Sequence, residues 1–300
     1  MYAFNQKEDD TLANSEKELI FSVNKSYDLY HYFFLLITDI FHFAEQRMDI
    51  GRNKNLPSYE ELHPNNRLVD NKVYHQLLEN EKLKSYLLNQ KLSWVNDDDL
   101  IRNLYSELIE SPTYQRYMSL PASSYKEDMA LIIFMISELF AHSENLLSNL
   151  EEKSIYWNDD TEFMLGMLVK TLHGFKETTK GGGPLLPLFK NDEDLDFVKQ
   201  LYRKVLLGKT ENEALIHQFA SNWELERIAF MDILIINMAI TEVINFPGIP
   251  VKVTLNEYIE IAKEYSTDKS SVFINGVLDK IVTHLKDTRI VKKAGRGLME

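Results

Sequence analysis

The sequence contains no cysteine, so neither a disulfide framework nor a thiolate metal site can form, which suits a reducing cytosol. Glycine and proline are scarce, 11 and 8 in 300 residues. Strand-like alternation of apolar and polar positions is rare, so the chain reads as nearly all helix. No uninterrupted apolar run reaches about 18 residues and no N-terminal apolar stretch has the form of a secretion signal, which leaves both membrane insertion and export without support. Positive charge is the scarcer sign: 33 Lys and Arg stand against 46 Asp and Glu, for a net charge of −13. Affinity for a polyanion comes largely from basic side chains displacing counterions, so a nucleic-acid role needs a local basic or aromatic site, and DNA is not expected as a partner.

Catalytic signatures are missing too. There is no G-x-S-x-G, Walker loop, H-E-x-x-H or strand-linked G-x-G-x-x-G, which leaves nucleophilic, phosphate-cradling and dinucleotide chemistry unsupported. Three D/E-x-x-H spacings occur, at Asp28 and His31, Asp39 and His42, and Glu60 and His63. A di-iron bundle needs two further inward glutamates at matching spacing, and none is apparent, so these pairs read as solvated helix faces and no metal or cofactor is expected. Trp94-Val95-Asn96-Asp97 and Trp157-Asn158-Asp159-Asp160 read as acidic helix N-caps rather than calcium loops, because the ligand spacing and its glycine are lacking.

What is present is helical periodicity. The Ser15 and Glu18 spacing of a capping box opens a long helix to about Gly51, and Leu19, Val23, Tyr30, Phe34, Ile37, Phe41, Ala44 and Met48 repeat along it for packing against a partner helix. A linker with Pro57 and Pro64 follows, then helices over 66–92, from Trp94 to before Pro112, 125–150 and 160–178. Lys180-Gly181-Gly182-Gly183-Pro184 reads as a flexible joint. Beyond it come helices over 192–207 and 211–222.

The pattern is sharpest from Trp223 to Leu285. Ile228 to Ile244 is apolar but for Asp232, Asn237, Thr241 and Glu242, the mark of a central bundle helix. Pro247, Gly248 and Pro250 stop it. Thr254 and Glu257 have capping-box spacing, ahead of a stripe of Leu255, Tyr258, Ile259 and Ala262. A last helix carries Ile274, Val277, Leu278, Ile281 and Leu285 on one face, with Gly276 as a point where a neighbouring backbone approaches. Behind it lies a basic cluster of Lys286, Arg289, Lys292, Lys293 and Arg296, readable as a solvated tail or as a phosphate contact.

Trp223 to Arg227, Asp232, Glu242, Pro250, Asn256-Glu257, Ala262-Lys263, and Phe273, Asn275, Gly276, Leu278 and Asp279 fall at the offsets of a known signature. The stretch from about Asp194 to Lys286 resembles the transcription antitermination factor NusB family. The resemblance implies an all-α, NusB-like helical bundle with an additional N-terminal helical region. Its expected organisation is 1–158 as a helical extension (1–13 being a remnant of the first family helix), 159–288 as the RNA- and partner-binding domain, and 289–300 as a basic tail.

The resemblance also implies roles. Phe273 is expected to stack an RNA base, with Lys269 and Asn275 nearby; by periodicity alone Phe273 instead belongs to the core stripe. Tyr2, Glu226 and Asp232 are the expected contacts for NusE, a small-ribosomal-subunit protein, while Arg227 pairs with a carboxylate. The implied function is non-enzymatic and cytoplasmic: binding boxA-like single-stranded RNA with NusE in the RNA polymerase antitermination complex, supporting ribosomal RNA transcription. Family members begin with an Arg-rich stretch, whereas this sequence begins Met1-Tyr2-Ala3-Phe4, as though entering the pattern after that arm. Together with the acidic balance this leaves an alternative, a NusB-like protein-interaction module with weak or no RNA binding. An RNA methyltransferase is disfavoured, because the match lies at the C-terminal end and no nucleotide-binding loop precedes it.

Overall fold

The computed structural model describes residues 12–122, 124–220, 228–267 and 269–298. Every regular element among them is a helix. None of these helices is long and apolar enough by itself to cross a membrane. The chain forms two compact units, Phe21–Leu188 and Met1–Ile20 with Phe189–Glu300.

The first of these units holds most of α1 (Leu12–Arg52), then α2 (Tyr59–Leu62), α3 (Lys72–Glu79), α4 (Glu81–Gln90), α5 (Asp98–Glu110), α6 (Pro112–Ser119), α7 (Tyr125–Phe134), a π-helical turn (Met135–Phe140), α8 (Glu144–Lys153) and α9 (Thr161–His173). Helix α1 is already helical at Leu12, and the Ser15 hydroxyl donates to the Leu12 carbonyl, so Ser15 is an interior residue and not the cap its spacing suggests. Tyr30, Phe34, Ile37, Phe41 and Ala44 of the expected stripe are buried and Leu19, Val23 and Met48 half-buried, but Phe33, Leu36 and Ile40, which lie off it, are buried too. The helix is therefore surrounded by its neighbours rather than paired along one face.

Both tryptophans tie to it, Trp94 Nε1 donating to the Tyr32 carbonyl at 3.1 Å and Trp157 Nε1 to the Lys25 carbonyl at 2.7 Å. Asp97 and Asp160 do occupy N-cap positions, without a capping hydrogen bond from either side chain. Of the D/E-x-x-H pairs, Glu60 and His63 are exposed as expected, but Asp28 and His31 are sealed in the core. Asp28 accepts from Tyr86 and Lys25, and the His31 ring stacks on Tyr86 at 3.7 Å. Burial drives His31 down to about 4, so it is neutral.

Two expectations fail here for identifiable reasons. The single helix over 66–92 is broken at Asn80, whose Oδ1 accepts from the Leu83 amide to cap α4. The glycine run is not a flexible joint, because Asn80 Nδ2 donates to the carbonyls of Gly181 and Gly183, and Gln76 to those of Lys176 and Thr179. Gly182 sits at φ 76° with its Cα against the Phe175 ring, where a Cβ would come within 2.1 Å of a ring carbon. Glycine is required there for its shape, not for its freedom. Leu165, Leu168 and Leu172 of α9 join the Phe33–Phe41 core of the Phe21–Leu188 unit.

The other unit contains α10 (Asp192–Leu207), α11 (Lys209–Phe219), α12 (Phe230–Asn245), α13 (Val251–Tyr265), α14 (Ser270–Asp287) and a 3₁₀ turn (Gly295–Leu298). Its core gathers Ile216 from α11, Ile235, Ile236, Ala239 and Ile240 from α12, Tyr258 and Ala262 from α13, and Phe273, Ile274, Leu278 and Ile281 from α14. Helix α12 contacts all four of the other helices in the unit. Its run of apolar residues is thereby explained, since no face of it is left to water.

Candidate functional site

The polar residues of α12 are ties to its neighbours. Asp232 accepts the hydroxyls of Ser266 and Ser270, which flank the turn between α13 and α14. Asn212 of α11 donates Nδ2 to Asn237 Oδ1 at 2.8 Å and to the Thr241 hydroxyl at 2.9 Å. Glu242 accepts from Thr254 on Oε1 at 2.7 Å and from Tyr258 on Oε2 at 3.0 Å. Thr254 is therefore inside α13, which begins three residues earlier at Val251 behind Pro250, and the expected capping box does not form. Burial raises the Glu242 carboxyl above its ordinary range; the Thr254 and Tyr258 hydrogen bonds and Lys293 oppose that rise.

The expected RNA-contact residues do not share one surface. Lys269 is exposed at the start of α14. Phe273 is 7% exposed and packed in the core, so its ring presents no open face for stacking, as the core stripe alone implied. Asn275, two residues on and about 200° further round a 3.6-residue helix, faces away from that core and is exposed. Gly276 has open space where a Cβ would stand, so no backbone approaches it. Of the expected partner contacts, Tyr2 and Glu226 lie outside the described residues, as does Arg227. Asp232 is buried with both carboxylate oxygens engaged by serine hydroxyls, a structural post rather than an open acidic contact.

Asn275 lines a groove of about 770 Å³ between α13 and α14. Lys252 and Asn256 contribute from α13, Asp279, Thr283 and Lys286 from α14, and Lys293 and Gly297 from the residues after it. The last of these are the surprise. The tail folds back so that the Ala294 amide donates to the Pro247 carbonyl at 3.0 Å and Lys293 Nζ to the Phe246 carbonyl at 3.1 Å. Burial lowers Lys293, and the charge of Glu242 acts against that. A separate cavity of about 620 Å³, lined by Phe197, Leu201, Leu234, Met238 and Val253 with Glu242 and Glu257, is apolar and acidic and offers nothing to a phosphate. Sequence reasoning saw the basic cluster but not Lys252. The only sequence signal for the fold-back is the Gly295 and Gly297 pair.

The model of the NusB family matches residues 185–283. The "Transcription antitermination protein NusB" of Salinibacter ruber (strain DSM 13855 / M31) is 37% identical over 147 residues, 49% of this chain and 85% of that protein. The protein of the same name from Chloroherpeton thalassium (strain ATCC 35110 / GB-78) is 41% identical over 105 residues, 35% of this chain and 50% of that protein. A solved structure of T. maritima NusB aligns with 54% of this chain and 93% of its own at 23% identity, with a TM-score of 0.30, too loose a superposition to carry any residue across. On the extent and identity of the Salinibacter match, the chain belongs to the NusB family.

Proposed function

We propose that the protein is a non-enzymatic transcription antitermination factor. It binds boxA-type single-stranded RNA jointly with NusE and holds the nascent transcript to the elongating RNA polymerase in the cytoplasm, chiefly on ribosomal RNA operons. Family membership supports the antitermination role. The observation that supports RNA as the ligand is the groove beside Asn275, where Lys252 and Lys286 meet Asn256 in a chain that is otherwise acidic. Lys269, exposed at the start of α14 and outside the groove lining, is a separate proposed RNA contact, while Phe273 fixes the helix from within the core. Tyr2 and Glu226 remain the residues proposed to meet NusE.

The experiment is a titration of the purified protein, alone and with NusE, against labelled boxA RNA and a scrambled RNA at fixed salt. Preferential binding of boxA, strengthened by NusE, is expected; equal or absent binding of both RNAs removes the RNA claim. The burial of Phe273 favours a second reading, a helical module that meets proteins only. NusE binding without RNA binding in the same titration selects that reading.

A further inference from the structure

Resting on the RNA-binding reading above, we propose that residues Thr288 to Leu298 form a fixed strap that completes a binding groove for the phosphodiester backbone of single-stranded RNA, with Lys252 and Lys286 as its phosphate contacts.

The strap is held by its backbone although most of its side chains are exposed. Arg289, at φ 57°, turns the chain sharply at the end of α14, and the amides of Ile290 and Val291 return to the Leu285 carbonyl. Gly295 takes a second left-handed turn at φ 57°. Gly297 then lies so close to the α12–α13 turn that a Cβ on it would stand 1.9 Å from the Pro247 carbonyl oxygen. With the Ala294 amide on that same carbonyl, the strap is held at Pro247 by backbone and forms one wall of the groove. Lys293 is committed inward, to Phe246 and toward Glu242, and acts as an anchor.

The remaining cations are uncommitted. Residues 279–298 carry six Lys and Arg against two Asp, in a chain of net charge −13. In the other unit Lys25, Lys54, Lys72, Lys84 and Lys153 each lie in an ion pair. Lys252, Lys286, Arg289, Lys292 and Arg296, by contrast, make no ion pair among the described residues. Basic side chains with no ion-pair partner among the described residues, at the rim of a groove that Val251, Leu255, Ile259, Val282 and Val291 make partly apolar, suit a ligand with both a run of negative charge and apolar bases. Asn256 and Asn275 add neutral hydrogen-bonding groups between them. Asp279 is the single acidic residue in the lining, and it disfavours an isolated anion more than a backbone that can thread past it.

The test uses the full chain and single-stranded RNA, with affinity measured by fluorescence anisotropy across a salt series. K252E/K286E is expected to bind about tenfold more weakly at moderate salt, and its slope of log affinity against log salt should fall by about 1.4, two phosphates at roughly 0.7 each. Gly297→Ala removes no charge but cannot keep the strap seated, and it is expected to weaken binding too. K82E/K84E, a charge-matched change at two exposed positions of the other unit, should leave affinity unchanged. Circular dichroism melts confirm that each variant is folded.

If the wild type binds no RNA, the functional reading itself falls. If it binds RNA and both K252E/K286E and Gly297→Ala match it in affinity and slope, the groove inference falls while that reading stands. Inorganic phosphate at matched ionic strength is expected to compete no better than chloride; saturable displacement by phosphate at low concentration would instead make this a free-phosphate site and overturn the RNA backbone as its occupant.

Discussion

The Tyr258 hydroxyl donates to Glu242 Oε2 at 3.0 Å, joining α13 to the end of the central helix through a carboxylate that water barely reaches. Burial is the main reason the Glu242 carboxyl is raised, with Glu257 adding to it; the hydroxyls of Thr254 and Tyr258 and the Lys293 charge work the other way. Between the ordinary value of about 4.3 and the higher folded value, the folded protein keeps a proton that the unfolded chain has released. The stability contributed by this group is therefore complete below about pH 4.3 and is lost as pH rises through the folded value. Glu242→Gln keeps an acceptor for one hydroxyl and has no such slope. Urea midpoints of the two proteins at pH 4.5, 6 and 7.5 should shift progressively in favour of the Gln variant as pH rises; a difference independent of pH would refute the assignment.

The two expected contact residues that the structure buries should behave as core residues. Phe273→Ala removes a ring packed among Ile274, Val277 and their neighbours and is expected to cost about 3–5 kcal/mol. Asp232→Ala leaves the Ser266 and Ser270 hydroxyls without their acceptor and should cost about 1–3 kcal/mol. Lys269→Ala and Asn275→Ala, on exposed positions of α14, should stay within about 0.5 kcal/mol of wild type. Equilibrium urea unfolding separates the two groups. A stable Phe273→Ala protein that had lost only RNA binding would restore the ring as a stacking platform.

The contrast between these residues shows what was legible in the sequence. The stripe of Ile274, Val277, Leu278, Ile281 and Leu285 fixed the inner face of α14, and that stripe also takes in Phe273, whose burial follows from periodicity. The roles of Asp232, Thr241 and Glu242 were not legible, because their partners Ser270, Asn212 and Thr254 lie on other helices and a polar residue in an apolar run looks the same whether it is tied or exposed. Gly181 to Gly183 misled for a similar reason: composition does not distinguish a glycine chosen for freedom from one chosen because a Phe175 ring fills the space of its Cβ. The strap is not legible in the sequence because its hold is a contact between two backbones, Ala294 and Pro247, which leaves no mark in side-chain pattern.

Asp39 carries a second pH dependence, in the other unit. It is half-buried on α1, and burial raises its carboxyl to about 6 from 3.8, with His42 pulling it down. The folded state thus holds this proton where the unfolded chain has lost it, so the group's contribution is complete below about pH 4 and disappears as pH rises through about 6. At pH 7.5 the wild type bears the cost of an ionised, poorly hydrated carboxylate that Asp39→Asn does not. Allowing for its partial exposure, the Asn variant should be more stable there by ~1–2 kcal/mol, with the gain shrinking toward zero at pH 4. Two of the three tryptophans, Trp94 and Trp157, lie in this unit, so tryptophan fluorescence in urea, read in a W223F background, follows its unfolding. A variant no more stable than wild type at pH 7.5 would show that Asp39 is ionised in the folded protein at little cost, and that its surroundings are wetter than its burial implies.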